Sequence, residues 1–205
     1  MERKGNLIKL TDLSSDFIID LKYATPDNFT GVQVYQSADC WLDEHTAQIL
    51  IKAKEIFEKD GYRVKIWDAY RPIRAQKRFW EIMPTDAFIA RPPDMTKIKK
   101  FRPTHMNGMC VDVTLTDKEG NEIEMPSPFD AMDERASLNY SGHSETGRRN
   151  GEYLKQVMDK FAFFTEKEAT YTQGQKITLK LRQRNDYGGS FSNCADASIY
   201  INGVK

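Results

Sequence analysis

The alternation of apolar and polar positions divides the chain into short strands and three longer helical stretches. Leu7 to Leu10 and Phe17 to Tyr23 are expected as strands, the second with Phe17, Ile19, Leu21 and Tyr23 on one face. From Leu42 to Lys59 apolar residues fall at 42, 47, 50, 51, 53, 56 and 57, the spacing of a helix with one buried stripe. Gly61 ends it, and Tyr62 to Trp67 returns to strand character. A second helix is expected over Ile73 to Ile82. A third over Arg148 to Phe161 is spaced by Tyr153, Leu154, Val157, Met158 and Phe161. Cys110 to Leu115 alternates again, with Val111, Val113 and Leu115 on one face and Cys110, Asp112 and Thr114 on the other. The turn signal Asp117-Lys118-Glu119-Gly120 predicts a hairpin of Val111–Thr116 with Glu122–Met125. The fold class expected is α+β, a small central antiparallel sheet flanked by helices.

The connecting segments differ in character. Ala24 to Val32 is turn-rich, and Pro84 to Lys100 is irregular, with Pro92-Pro93 and a basic tail. Pro126 to Arg135 is a loop dense in acids, and Ser137 to Ser144 is a polar loop carrying His143. Beyond the third helix, Lys176 to Leu181 alternates only weakly, and Gly188-Gly189-Ser190 has the composition of a flexible turn. The chain therefore divides at about residue 165, into a domain over 1–165 and a C-terminal segment over 166–205 of different character.

Composition narrows the function classes. At 205 residues the chain is long enough for one substantial core without disulfide staples. Lys plus Arg equals Asp plus Glu at 30 each, so no net field favours nucleic acid or an anionic membrane as partner. The start, Met1 to Leu10, lacks an apolar h-region, and no run is long enough to span a bilayer. Cys40, Cys110 and Cys194 form neither a CxxC pair nor an even framework. These features together point to a reduced, soluble, cytoplasmic protein and leave its oligomeric state open.

The chemistry concentrates in two places. His105, one of three histidines, precedes Asp112 by seven residues, across a turn that Asn107 and Gly108 can make. Asp112 is a carboxylate within an apolar strand, costly to bury unless a cation or donors meet it. An imidazole and a carboxylate converging there would form half of a zinc site. The plainer reading is a surface histidine and an aspartate that holds a backbone turn, and spacing alone favours it. The second place is Asp68-Ala69-Tyr70-Arg71-Pro72, between a strand and a helix. Arg71 either presents donors to a carboxylate or oxyanion, or braces the loop against Asp68. His45, near the start of the first helix, is expected to face solvent.

Taken together, four blocks resemble the zinc D-alanyl-D-alanine dipeptidases. They are Asp20-Leu21-Lys22-Tyr23-Ala24-Thr25 with Asn28-Phe29-Thr30-Gly31, Trp67 through Pro72, His105 through Gly108 to Asp112, and Phe129-Asp130 with Met132-Asp133-Glu134-Arg135. The resemblance covers about residues 10 to 163 and reverses the preference for the plain reading of His105 and Asp112. It implies a small-dipeptide substrate and a zinc site at a strand or hairpin, with His105 and Asp112 as two of three protein ligands. It also implies that Arg71 stabilises the transition state and that Asp130 holds the substrate's ammonium, with Tyr70 beside the substrate. Three departures stand out. Pro103 occupies a position where the family has serine, and Cys110 one where it usually has alanine. The family's closing Glu-Trp-Trp-His, which supplies the general base and third ligand, is missing. Glu168 falls within about a residue of the base, with Glu166 as a second candidate, while Tyr171 stands in place of the histidine. The alternatives are a damaged dipeptidase, a peptide-binding pocket without catalysis, or a site completed by His143, Glu166 or Glu168.

Overall fold

The computed structural model describes residues 2–94, 104–137, 140–162 and 191–192. A short hairpin opens the chain, β1 (Arg3–Lys4) with β2 (Leu7–Lys9), turned at Gly5. Strand β2 pairs in turn with β4 (Trp41–Asp43), setting Ile8 opposite Leu42 in a three-stranded antiparallel sheet. Trp41 to Asp43 is thus strand, where helical spacing from Leu42 had been expected. The reason is local. The Asp43 carboxylate accepts from the backbone N–H groups of His45 and Thr46 and caps helix α1 (Glu44–Lys59), so the helix starts at Glu44, two residues later than expected. Ala47, Leu50, Ala53 and Phe57 form its buried stripe, and Gly61 follows at φ +91°. His45 is exposed, as expected.

A second, four-stranded sheet is the centre of the molecule, in the order β3 (Ile18–Ile19), β5 (Arg63–Asp68), β6 (Asp112–Thr116) and β7 (Phe191–Ser192). The β3–β5 pair is parallel and the other two are antiparallel. Of the strand expected over Phe17 to Tyr23 only Ile18–Ile19 pairs in the ladder, because Lys22–Ala24 winds into a 3-10 turn. The buried positions Phe17, Leu21 and Tyr23 nevertheless keep the expected alternation. The hairpin expected between Val111–Thr116 and Glu122–Met125 is reduced to one bridge, Thr116 with Glu122, and an Ile123 N–H bond to the Leu115 carbonyl. The turn forms as read, with Asp117 bonded to Asn121 through backbone and side chain. Beyond it the β6 edge is taken by β7, with Asp112 opposite Ser192.

Within the ladder, Val64 pairs with Leu115 and Ile66 with Val113, so these four buried residues share the face that joins the core. Helix α1 lies against β5 and against α3 (Glu145–Ala162), whose Leu154, Val157 and Met158 close the core. Helix α2 (Ile73–Ile82) follows the loop after β5, beginning after Pro72. The register then shifts. After Ile66–Val113 the next pair is Asp68–Asp112, so β5 carries one extra residue there. A regular ladder would set Trp67 opposite Asp112. The bulge sets Asp68 there instead, and such bulges characteristically re-aim side chains.

Candidate metal centre

His105 reaches this point from a short 3-10 turn, His105–Asn107, closed by Gly108 at φ +74°. Glycine is required there twice over. The left-handed backbone disfavours any side chain, and a Cβ would stand 2.4 Å from Leu7 Cδ2 and 2.8 Å from the Asp43 nitrogen. The Asn107 carboxamide oxygen accepts from the backbone N–H groups of Thr104 and Met109, which fixes the turn. The Arg71 N–H donates to the His105 carbonyl, tying the two loops together.

Asp68, His105 and Asp112 come together, each offering one ligand atom, with all three atoms within 4.8 Å of one another. Asp68 is fully buried and Asp112 nearly so. His105 Nδ1 lies 2.9 Å from the Ala69 carbonyl oxygen, which can only accept, so the proton sits on Nδ1. Nε2 then faces Asp112 Oδ1 at 3.4 Å. Two acceptors opposed at that distance repel unless a proton or a metal cation stands between them. Burial pulls the imidazole pKa down, while Asp112, against the opposing charge of Arg71, and then Asp68 leave it above its ordinary value. The site calls for positive charge at Nε2.

Asp68 is differently placed. Its Oδ1 accepts from the Tyr35 hydroxyl at 2.6 Å and the Ala69 N–H at 2.8 Å. Its Oδ2 accepts from Arg71 Nε at 3.0 Å and Nη2 at 2.6 Å. Four donors fill the roughly four acceptor directions of one carboxylate. Distance alone admits Asp68 as a metal ligand, but its hydrogen bonds already occupy it. Arg71 places Nη1 on Gln76 Oε1 at 2.9 Å, and Gln76 is anchored to the Ala90 carbonyl. The guanidinium also lies over the rings of Phe79 and Tyr23, at 4.9 and 5.5 Å from their centroids. Of the two roles read for Arg71, the brace on Asp68 is therefore present.

Asp130 belongs to the same neighbourhood. Both its oxygens accept from the Tyr23 hydroxyl, at 3.1 and 3.0 Å, and its backbone has φ +55°, a left-handed conformation that aspartate tolerates better than most residues. Burial raises its carboxyl to about 7. The Tyr23 bond lowers it and the charges of Asp112 and Asp68 add to the rise, with Arg71 opposing. Tyr70 is half-buried and enters through its backbone, the N–H bonding to the Trp41 carbonyl.

A family model described as D-ala-D-ala dipeptidase matches residues 3–169. The chain belongs to that family. Among curated proteins, the D-alanyl-D-alanine dipeptidase of Escherichia coli K12 is 34% identical over 158 residues, covering 77% of this chain and 78% of that protein. The protein of the same name from Enterococcus faecium is 32% identical, covering 70% and 78%. That of Streptomyces coelicolor is 30% identical over 168 residues, covering 75% and 83%.

Within this dipeptidase-family fold, four residues read from sequence, Arg71, His105, Asp112 and Asp130, lie in one neighbourhood. His143 does not join them. It is buried, its Nε2 lies 2.8 Å from the Ser137 carbonyl, and its ring packs edge-on against Tyr140. Pro103, Glu166, Glu168 and Tyr171 lie outside the described residues, as does the alternation over Lys176 to Leu181. Sequence reading did not single out Asp68 as a site residue, Tyr35 as its partner or Tyr23 as the partner of Asp130. Asp68 and Tyr23 fall inside the motif blocks, but Tyr35 carried no signal. Among the described residues no helix is long and apolar enough to cross a membrane.

Proposed function

We propose that this protein is a zinc-dependent dipeptidase that hydrolyses D-alanyl-D-alanine or a similar small dipeptide. The observation that carries this reading is the facing of His105 Nε2 and Asp112 Oδ1, two acceptors with a proton-bearing Nδ1 behind one of them. An imidazole nitrogen and a carboxylate oxygen are the donor types zinc takes. His105 and Asp112 hold the metal in this reading. Ala69 and Asp68 act behind them, fixing the ring orientation, as partners of ligand histidines do.

Bound zinc would polarise the scissile carbonyl and lower the pKa of a water. The chain's own groups do the rest. Asp130, ionised, pairs with the substrate's ammonium, and Tyr70 flanks the substrate. Arg71 contributes positive charge to the developing oxyanion while its Nε and Nη2 stay on Asp68. Glu168, with Glu166 as second candidate, moves the proton from water to the leaving amine, in the role the resemblance implies. Asp112 begins strand β6, His105 sits in the 3-10 turn before it and Asp130 in a later loop, and the Gly108 turn sets the first two facing each other, which is what a preorganised site needs.

One observation favours a second reading, a dipeptidase-like protein that binds cell-wall peptides without cleaving them. Tyr171 stands where the family's third ligand is histidine, and Asp68, the nearest further carboxylate, already accepts four hydrogen bonds. Metal content after purification in zinc, measured beside release of free D-alanine, separates the two. One zinc per chain with D-alanine release is the expected result. Zinc without release supports the second reading, and neither zinc nor release rejects the metal site.

A further inference from the structure

Arg71 sets each of its three guanidinium nitrogens on a partner. Nε and Nη2 bond to Asp68 Oδ2, at 3.0 and 2.6 Å, and Nη1 bonds to Gln76 Oε1 at 2.9 Å. Both bonds to Asp68 end on the same oxygen atom. A fork that met two carboxylate oxygens would fix the group at two points, whereas one oxygen acts as a pivot. About that pivot the guanidinium can still swing in its own plane. The rings of Phe79 and Tyr23, at 4.9 and 5.5 Å from the guanidinium carbon, restrict tilting out of the plane but not the swing. The bond that stops it comes from Nη1, the nitrogen that Asp68 does not hold.

Gln76 is itself fixed. It lies near the start of α2, is 2% exposed, and its Nε2 donates to the Ala90 carbonyl at 2.6 Å. A guanidinium only donates and a backbone carbonyl only accepts, so the carboxamide has one orientation, oxygen toward Arg71 and nitrogen toward Ala90. A carboxylate of the same size would set acceptor against acceptor at Ala90. Five donors less these three bonds leave Arg71 two N–H groups, one on each terminal nitrogen. Donors stabilise a developing oxyanion best when they are already aimed at it, and an in-plane swing is the motion that would misaim these two.

We infer that Gln76 is a positioning residue for the hydrolysis, locking the in-plane angle at which Arg71 presents its two remaining N–H groups to the oxyanion. It acts through Arg71 rather than on the substrate. The inference rests on the dipeptidase reading and on the place of Arg71 in it.

The test substitution is Gln76→Met, which keeps the length of the side chain and deletes the acceptor. In the zinc-loaded full chain, kcat for D-alanyl-D-alanine should fall about 10- to 100-fold while KM changes less than about twofold, the pattern of an interaction made only in the transition state. Loss of the Ala90 bond alone would lower stability and leave kcat per folded molecule unchanged. In an Arg71→Ala background the same substitution should cost less than about twofold, because the residue it acts through is gone. Equal losses in the two backgrounds, or an unchanged kcat in Gln76→Met, overturn the inference. A second readout needs no turnover. A guanidinium held at all three nitrogens rotates slowly, so the Arg71 Nη1 and Nη2 hydrogens should give separate resonances in ¹⁵N–¹H spectra, assigned by their loss in Arg71→Lys. Gln76→Met should merge them. If the zinc-loaded wild-type chain releases no D-alanine, the dipeptidase reading fails, and the spectra alone decide whether Gln76 fixes Arg71. Arg71 resonances that stay separate in Gln76→Met overturn the inference whatever the turnover.

Discussion

Asp68 stands directly opposite Asp112 across the β5–β6 ladder, two acids at one rung, because β5 carries one extra residue between Ile66 and Asp68. Like charges so placed destabilise a sheet unless each is compensated. Arg71 compensates Asp68 through two hydrogen bonds to Oδ2. Among the described residues the Asp112 carboxylate is faced by the imidazole of His105, at 3.4 Å, and there a cation fits. The bulge therefore divides two carboxylates into one that braces and one that is free to ligate.

Removing one partner of the buried brace should be costly. Asp68→Asn keeps the size of the side chain but leaves the Arg71 charge, with its side chain 14% exposed, without its counterion. A loss of about 3–5 kcal/mol is expected in urea or guanidinium unfolding. Asp68→Asn combined with Arg71→Met should recover part of it. A loss under about 1 kcal/mol would show that the pair is not a stability element.

Zinc should depend on His105. His105→Ala removes the nitrogen that faces Asp112 and should abolish stoichiometric zinc by elemental analysis. Asp68→Asn should keep a zinc ion, bound about 10–100-fold more weakly, since only a supporting partner is lost. Full zinc in the His105 variant would sink the ligand assignment.

Asp130 makes substrate binding pH-dependent. Its folded-state carboxyl titrates at about 7, above the ordinary 3.8. The folded chain therefore holds a proton there that the unfolded chain has released. This contribution to stability is fully present below about pH 4, is lost as pH rises to about 7, and stays lost above. Pairing with an ammonium needs the ionised form, so KM for a free dipeptide should fall as pH rises through about 7. Asp130→Asn should flatten that profile, and an unchanged profile would remove Asp130 from the binding site.

An amine that meets Asp130 cannot be blocked without leaving the buried acid unpaired. N-acetyl-D-alanyl-D-alanine should be hydrolysed far more slowly than the free dipeptide. Equal rates would indicate a carboxypeptidase that accepts longer chains.

The third ligand is tested at position 171. Catalytic zinc usually has three protein ligands and a water. With His105 and Asp112 as the only protein ligands, zinc should be held more weakly and D-alanine released more slowly than in a three-ligand site, though both stay measurable at saturating zinc, and Tyr171→His should raise both. Tight zinc and full turnover in the parent chain, with no change in the variant, would place the third ligand elsewhere.

Much of the local structure was readable from residue order. The buried stripe of α1, the strand over β5, helix α2 and the turns at Gly108 and Gly120 follow from periodicity and from where only glycine fits. Asp43 was misread as helical because its leucine and tryptophan neighbours match either period, and only the cap distinguishes them. The expected hairpin after β6 shrank because ladder pairing depends on which strand takes the edge, and β7 comes from far along the chain. His143 had the right chemistry for a ligand, but burial bound its ring to the Ser137 carbonyl.

By itself the sequence determined the fold class, the family blocks and the residues carrying charge or lone pairs, since these depend on short-range spacing and side-chain chemistry. Tertiary structure alone decided which of those groups meet. The one-residue bulge that puts Asp68 opposite Asp112 is a property of two paired strands. Likewise, Tyr35 reaches Asp68 across 33 residues and Tyr23 reaches Asp130 across 107, separations at which no periodicity operates. Whether a carboxylate braces or ligates is set by how many donors the fold brings to it, and that number is written in no single stretch of chain.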